Sequence, residues 1–128
     1  MKRDFDLIRS ILLDIEETSV PSQPTDYIFD FPDRDAVAHS LELLVSQGLV
    51  SAKKYPTFDS HPADVYFAPA LTWAGHDFLD SVRDDEIWRK TKEGVSAAGG
   101  FTFDLMKQLA KGLVKTQIEK HTGVKLDN

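Results

Sequence analysis

The chain of 128 residues contains no cysteine. Disulfides, thiolate metal sites and a cysteine nucleophile are thereby excluded. It has no apolar run approaching the length of a membrane span. The opening Met1-Lys-Arg-Asp-Phe-Asp lacks the apolar core of a secretory signal, so a cytoplasmic protein is expected. Positive charge is in deficit: 15 Lys and Arg stand against 21 Asp and Glu, for a net charge of −6. Such a balance speaks against a dedicated nucleic-acid binder, which usually shows a basic face. What remains is ordinary for a soluble globular protein, with 41% apolar and 28% charged residues. A chain of this size buries a real core without cross-links.

Catalytic and metal patterns are also missing. His39, His61, His76 and His121 are never three or four residues apart, so no helical metal pair exists. No glycine pattern of a nucleophile elbow surrounds any serine. Ala97-Ala-Gly-Gly100 precedes a helix but lacks the spacing and the lysine of a phosphate loop. It reads as a hinge. No catalytic residue, metal, cofactor or small-molecule substrate is expected, and the chain is read as a non-enzyme.

The chain is organised around Leu71 to Trp88, which reads as one capped helix carrying both tryptophans. Thr72 is its expected N-cap, since a hydroxyl there accepts from an orphan amide. Pro69 suits a strand end or turn just before it. Trp73, Phe78, Leu79, Val82 and Ile87 are assigned to a buried flank, and Asp77, Asp80, Arg83, Asp84, Asp85 and Glu86 to the wet side. Trp73 and Trp88 are expected to anchor the core, because an indole buries a large area. The stretch is read as a structural brace, with a ligand or partner site around His76, Asp77 and Asp80 as the alternative.

Upstream, a helix is expected from about Arg3 to Thr18, with Phe5, Ile8, Ile11, Leu12 and Ile15 on one stripe. Ser19 to Thr25 is turn chemistry. Tyr27-Ile-Phe-Asp-Phe suggests a short strand. A second helix starts at the cap Asp33, buries Val37, Leu41, Leu44 and Val45, and ends before Gly48, where a left-handed residue is often required. Leu49 to Tyr55 and Val65 to Ala68 read as strands of an antiparallel hairpin with a long tip. Downstream, a helix through Lys92 is broken at Gly94 and at Ala97 to Gly100. Thr102 caps a last helix to about His121. There Leu105, Leu109 and Leu113 form an apolar row beside the cationic row Lys107, Lys111 and Lys115.

The fold class is thus α+β, mostly helical. The order of helix, short strand, helix, two-stranded wing and helix is winged-helix-like, with a C-terminal amphipathic helix. Residues 1–93 form the winged-helix-like domain and residues 94–128 the glycine hinge and last helix. In a winged helix, the helix before the ribbon lies in the major groove and the ribbon tip touches phosphates. Here that helix turns Asp35, Ala36, His39, Leu43, Ser46 and Gln47 outward, with no arginine or lysine among them. Candidate nucleic-acid contacts reduce to His39 and Gln47 on the helix and Lys53 and Lys54 in the wing. The last helix has an apolar row that must be covered. It would fold back on the domain, pair with a second copy or, as a minor option, lie on a membrane surface, and its lysine row would suit a nucleic-acid backbone or an acidic protein partner. Its candidate partner contacts are Leu105, Leu109, Leu113, Lys107, Lys111 and Lys115.

The opening Met1-Lys-Arg-Asp-Phe-Asp-Leu-Ile-Arg with Ile11-Leu-Leu, then Val37-Ala-His-Ser-Leu and Gly48-Leu-Val, carry a resemblance. The most distinctive part is Leu71-Thr-Trp-Ala-Gly-His-Asp-Phe-Leu-Asp-Ser-Val-Arg-Asp-Asp with Ile87-Trp-Arg-Lys-Thr-Lys. The chain resembles a family of small bacterial and prophage proteins labelled domain of unknown function 2513. The resemblance implies a winged-helix-like domain with a helical tail and no established activity. The combined expectation is an interaction module that binds protein, itself or DNA.

Overall fold

The computed structural model describes residues 4–17, 33–54, 66–97 and 102–126. Among these residues, five helices and one two-stranded antiparallel sheet give an α+β, mostly helical architecture. The expected strand at Tyr27 to Phe31 and the hairpin tip lie outside the described residues. The chain divides into two compact units, Met1–Leu79 and Asp80–Asn128.

The first unit begins with α1 (Phe5–Glu17). The Asp4 carboxylate accepts from the Leu7 amide at 3.1 Å and caps it. Ile8, Ile11, Leu12 and Ile15 recur at helical spacing and are all buried. They pack α1 against α2 (Arg34–Ser46) and the second strand. Asp33 caps α2 as expected, its carboxylate accepting from the Ala36 amide at 3.0 Å. Val37, Ala38, Leu41 and Leu44 face the core, whereas Val45 is only half-buried.

The end of α2 is a Schellman motif. Gly48 takes a φ of +75°. Its amide donates to the Val45 carbonyl at 3.1 Å, and the Leu49 amide donates to the Leu44 carbonyl at 3.0 Å. Leu44 and Leu49 are both buried, supplying the apolar part of the motif. From this turn the chain enters β1 (Val50–Lys54), which pairs with β2 (Tyr66–Leu71).

Pro69 differs from the expectation of a strand end, because β2 runs through it to Leu71. The register explains how. Ser51 pairs with Ala70 and Lys53 with Phe67, so β2 holds one residue more than β1 in this interval. Pro69 lies in that bulge, where a missing N–H breaks no ladder bond.

The expected single helix from Leu71 to Trp88 is two helices, α3 (Trp73–Val82) and α4 (Asp85–Ala97). The interruption is built by Asp84, whose carboxylate accepts from the Glu86 amide at 2.9 Å and the Ile87 amide at 3.0 Å. Asp85 and Glu86 then occupy the first turn of α4, where the helix dipole favours negative charge. Removing the cap with Asp84→Ala costs about 1 kcal/mol, and Asp84→Asn retains most of it. Urea titration of the two variants checks this. Equal losses would show that Asp84 acts by charge and not as a cap.

In the second unit α4 pairs with α5 (Phe103–Thr122). Ile87, Trp88, Thr91 and Val95 form the buried stripe of α4, and Met106 and Ala110 that of α5. Buried Thr91 is satisfied by donating to the Ile87 carbonyl at 2.7 Å. The break expected at Gly94 does not occur there, since Gly94 lies inside α4. A β-carbon at that position would stand 2.5 Å from Leu109 Cδ2, so the glycine leaves room for the Leu109 side chain. Thr102 caps α5 as expected, accepting from the Leu105 amide at 3.2 Å. The helix ends at Gly123, with φ +71°.

Candidate functional site

The segment from Gly48 to Asp77 concentrates what sets this chain apart. Thr72 is the N-cap of α3, its hydroxyl accepting from the Gly75 amide at 3.0 Å. The same hydroxyl donates to the Gly48 carbonyl, and the Thr72 amide donates to the Leu49 carbonyl at 3.0 Å. The first turn of α3 is therefore seated on the turn that ends α2. Gly75 makes the seat possible: an added β-carbon would lie 2.0 Å from the Leu49 carbonyl oxygen. The glycine of Trp73-Ala-Gly-His is thus a packing residue.

Trp73 overturns its expected role. It is 84% exposed, whereas Trp88 is 4% exposed and buried as expected. The reason is helical phase. Nine residues separate Trp73 from Val82, about two and a half turns, so the two point to opposite sides of α3. Gly75, Phe78, Leu79 and Val82 take the buried side. Trp73, His76 and Asp77 share the open one. Ile87 and Trp88 belong to α4, with its own phase.

The residues expected at a DNA interface are dispersed. On α2, His39 is half-buried and Gln47 is exposed, eight residues or about 12 Å further along the axis. Gln47 also forms the C-cap, its amide donating to the Leu43 carbonyl at 2.9 Å. Lys53 is exposed on β1 opposite Phe67, and Lys54 ends that strand opposite Tyr66. His61 lies outside the described residues. The exposed positions of α2 and its cap include Asp33, Arg34, Asp35 and Glu42. Of these, Asp35 and Glu42 lie on the outward side, whereas Arg34 is in phase with Val37 and Leu41.

The residues expected to meet a partner on α5 divide. Leu105 is 45% exposed, Leu109 is half-buried near Gly94, and Leu113 is half-buried in a groove against α4. The leucine row is therefore not the buried seam. Residues four apart drift about 40° around a helix, so the row spirals from the open side at Leu105 toward the covered side at Leu113. The seam runs through Met106 and Ala110 instead. Of the lysines, Lys111 is exposed and Lys107 and Lys115 are half-buried.

The groove has a volume of about 440 Å³ and lies between the first turns of α4 and the last turns of α5. It brings Asp84 and Glu86 near Lys90, Lys120 and His121. These charges offset one another. Asp84 is engaged as a cap, and Lys90 meets Glu86 at 3.5 Å. The alternative site at His76, Asp77 and Asp80 gains no support from its geometry. His76 and Asp77 are exposed, and Asp80 accepts from Arg83 at 2.8 Å. Among the described residues, no three His, Asp or Glu side chains converge to hold a metal. No helix of the described residues is long and apolar enough to cross a membrane.

Helices flanking a bulged hairpin, with an open indole beside the hairpin's exit, thus define the chain. Residues 2–101 match the sequence model of the family described as hypothetical protein DUF2513. The chain belongs to this family. The match ends just before α5. An uncharacterized protein of Haemophilus influenzae (strain ATCC 51907 / DSM 11121 / KW20 / Rd) is 34% identical over 121 residues, covering 92% of this chain and 99% of its own length. Coverage of that extent reaches into α5. No solved structure matches.

Proposed function

We propose that the chain is a non-enzymatic, winged-helix-like interaction module whose partner is protein rather than DNA. The element order of α1, α2, the β1–β2 hairpin and α3 supports the winged-helix reading. The charge on the outer face of α2 carries the choice of partner. In a winged helix that face enters the major groove, between the two phosphate rows. Here its outward positions carry Asp35 and Glu42 and no lysine or arginine. Phosphate contact needs cations, and base readout favours Arg, Lys, Asn or Gln. Gln47 and Lys53 alone supply too little of either.

Lys53 on the exposed side of β1 is the one observation favouring DNA, so the test turns on it. Titration of a labelled 30-bp duplex at low salt is expected to show no binding tighter than about 10 µM, within the non-specific range. Binding well below that, falling steeply with salt and lost in Lys53→Glu, would replace the protein reading with the DNA one.

A further inference from the structure

We infer that the open face of α3 docks onto the outward face of α5 in a second copy of this chain. The inference rests on the interaction-module reading and names its partner. It starts from Trp73, the most exposed of the large apolar side chains at 84%. An indole is a costly side chain to leave in water and a frequent centre of binding energy when covered. Asp77 lies one turn further along the same face, about 6 Å away, and is also exposed. The face therefore offers an aromatic plate with a carboxylate beside it. It fits an apolar side chain flanked by cations.

The chain itself carries that counterpart. Among the described residues, the other exposed large apolar side chains are Leu105, Ile118, Val124 and Leu126, all in α5 or just beyond it. On α5 the phases of Lys107, Lys111 and Ile118 fall within about 40° of one another. They lie about 60–100° from Ala110 and about 100–140° from Met106, the two seam residues. Ile118 is 42% exposed and Lys111 is exposed two turns before it. The charges agree with this pairing. Residues 103–126 carry five lysines against Asp104 and Glu119, whereas the open face of α3 carries no lysine or arginine before Arg83. In the docked pair the indole covers Ile118 and the lysine stems, and Asp77 meets Lys111. A lysine over the indole face adds a cation–π attraction. One helix face against another buries less than a standard interface, so the association is weak.

Sedimentation velocity on the full chain, from about 1 µM to about 1 mM, reads the outcome. Dimer formation is expected with a Kd on the order of 10–100 µM at low salt, weakening as salt rises. Trp73→Ala is expected to weaken it roughly 30-fold, the size of a hot-spot residue. Asp77→Lys and Lys111→Asp are each expected to weaken it, and their combination to restore it. Circular dichroism confirms that each variant is folded. Acrylamide quenching of the unaltered chain is an independent reading, because the exposed indole is expected to become protected as concentration rises. A monomer throughout the range overturns the inference. So does a dimer indifferent to Trp73→Ala, or one that the double reversal fails to restore. A monomer leaves the protein reading intact for another partner, whereas tight duplex binding removes that reading whatever the sedimentation shows.

Discussion

Gly75→Ala is expected to destabilise the protein by about 2–3 kcal/mol, although alanine is the better helix former by about 1 kcal/mol. The new β-carbon would meet the Leu49 carbonyl oxygen at 2.0 Å and its carbon at 3.0 Å. Both are backbone atoms, so no rotamer change relieves the overlap. Overpacking of this kind costs about 1–3 kcal/mol, occasionally more. Relief by lifting the first turn of α3 breaks the Thr72 amide bond to Leu49 and strains the Thr72 hydroxyl bond to Gly48. Each such bond is worth about 1 kcal/mol net. After the propensity gain is subtracted, a fall in Tm of roughly 10 °C follows for a chain of this size. A thermal melt followed by circular dichroism checks it. A variant as stable as the parent would mean that α3 is not seated on Leu49.

Trp88→Ala is expected to cost about 3–5 kcal/mol, the usual loss for truncating a buried aromatic. The indole is 4% exposed, and Lys92 Nζ stands 5.5 Å from its ring centroid. Trp73→Ala is expected to change stability by less than about 0.5 kcal/mol, as surface substitutions do. Urea unfolding of the two single variants provides the comparison. Similar losses in both would sink the assignment of one indole to the core and the other to solvent.

The contrast between these tryptophans shows how far the sequence could be read. Apolar periodicity located α1 and α2, because each carries one uninterrupted phase. Caps mark the starts of α2, α3 and α5, where Asp33, Thr72 and Thr102 place short polar side chains just ahead of apolar periodic runs, and Gly48 marks the end of α2. The hairpin was legible from β-branched and aromatic residues on either side of a proline-containing stretch. Leu71 to Trp88 holds two helices with separate phases where periodicity alone suggests one. A single phase cannot hold Trp73, Val82 and Ile87 together, and the run Asp84-Asp85-Glu86 was the available sign of a new helix start. Gly75 and Gly94 carried no local signal of their roles. Their meaning depends on Leu49 and Leu109, far off in sequence, which only tertiary contacts bring near. The candidate DNA contacts could be placed by element but not judged, since exposure decides which charges a phosphate would meet. On α5, four-residue spacing looked like a face although it describes a slow spiral.

The clamp at the base of the hairpin has a consequence for how this chain can vary. Val50 pairs with Leu71, and Thr72 is bonded to Gly48 and Leu49, so strand alignment is set at the closed end. The segment joining Lys54 to Tyr66 is relieved of that duty. Insertions between those two residues are accordingly a cheap place for related chains to diverge, and a convenient one for grafting a foreign peptide without shifting either strand.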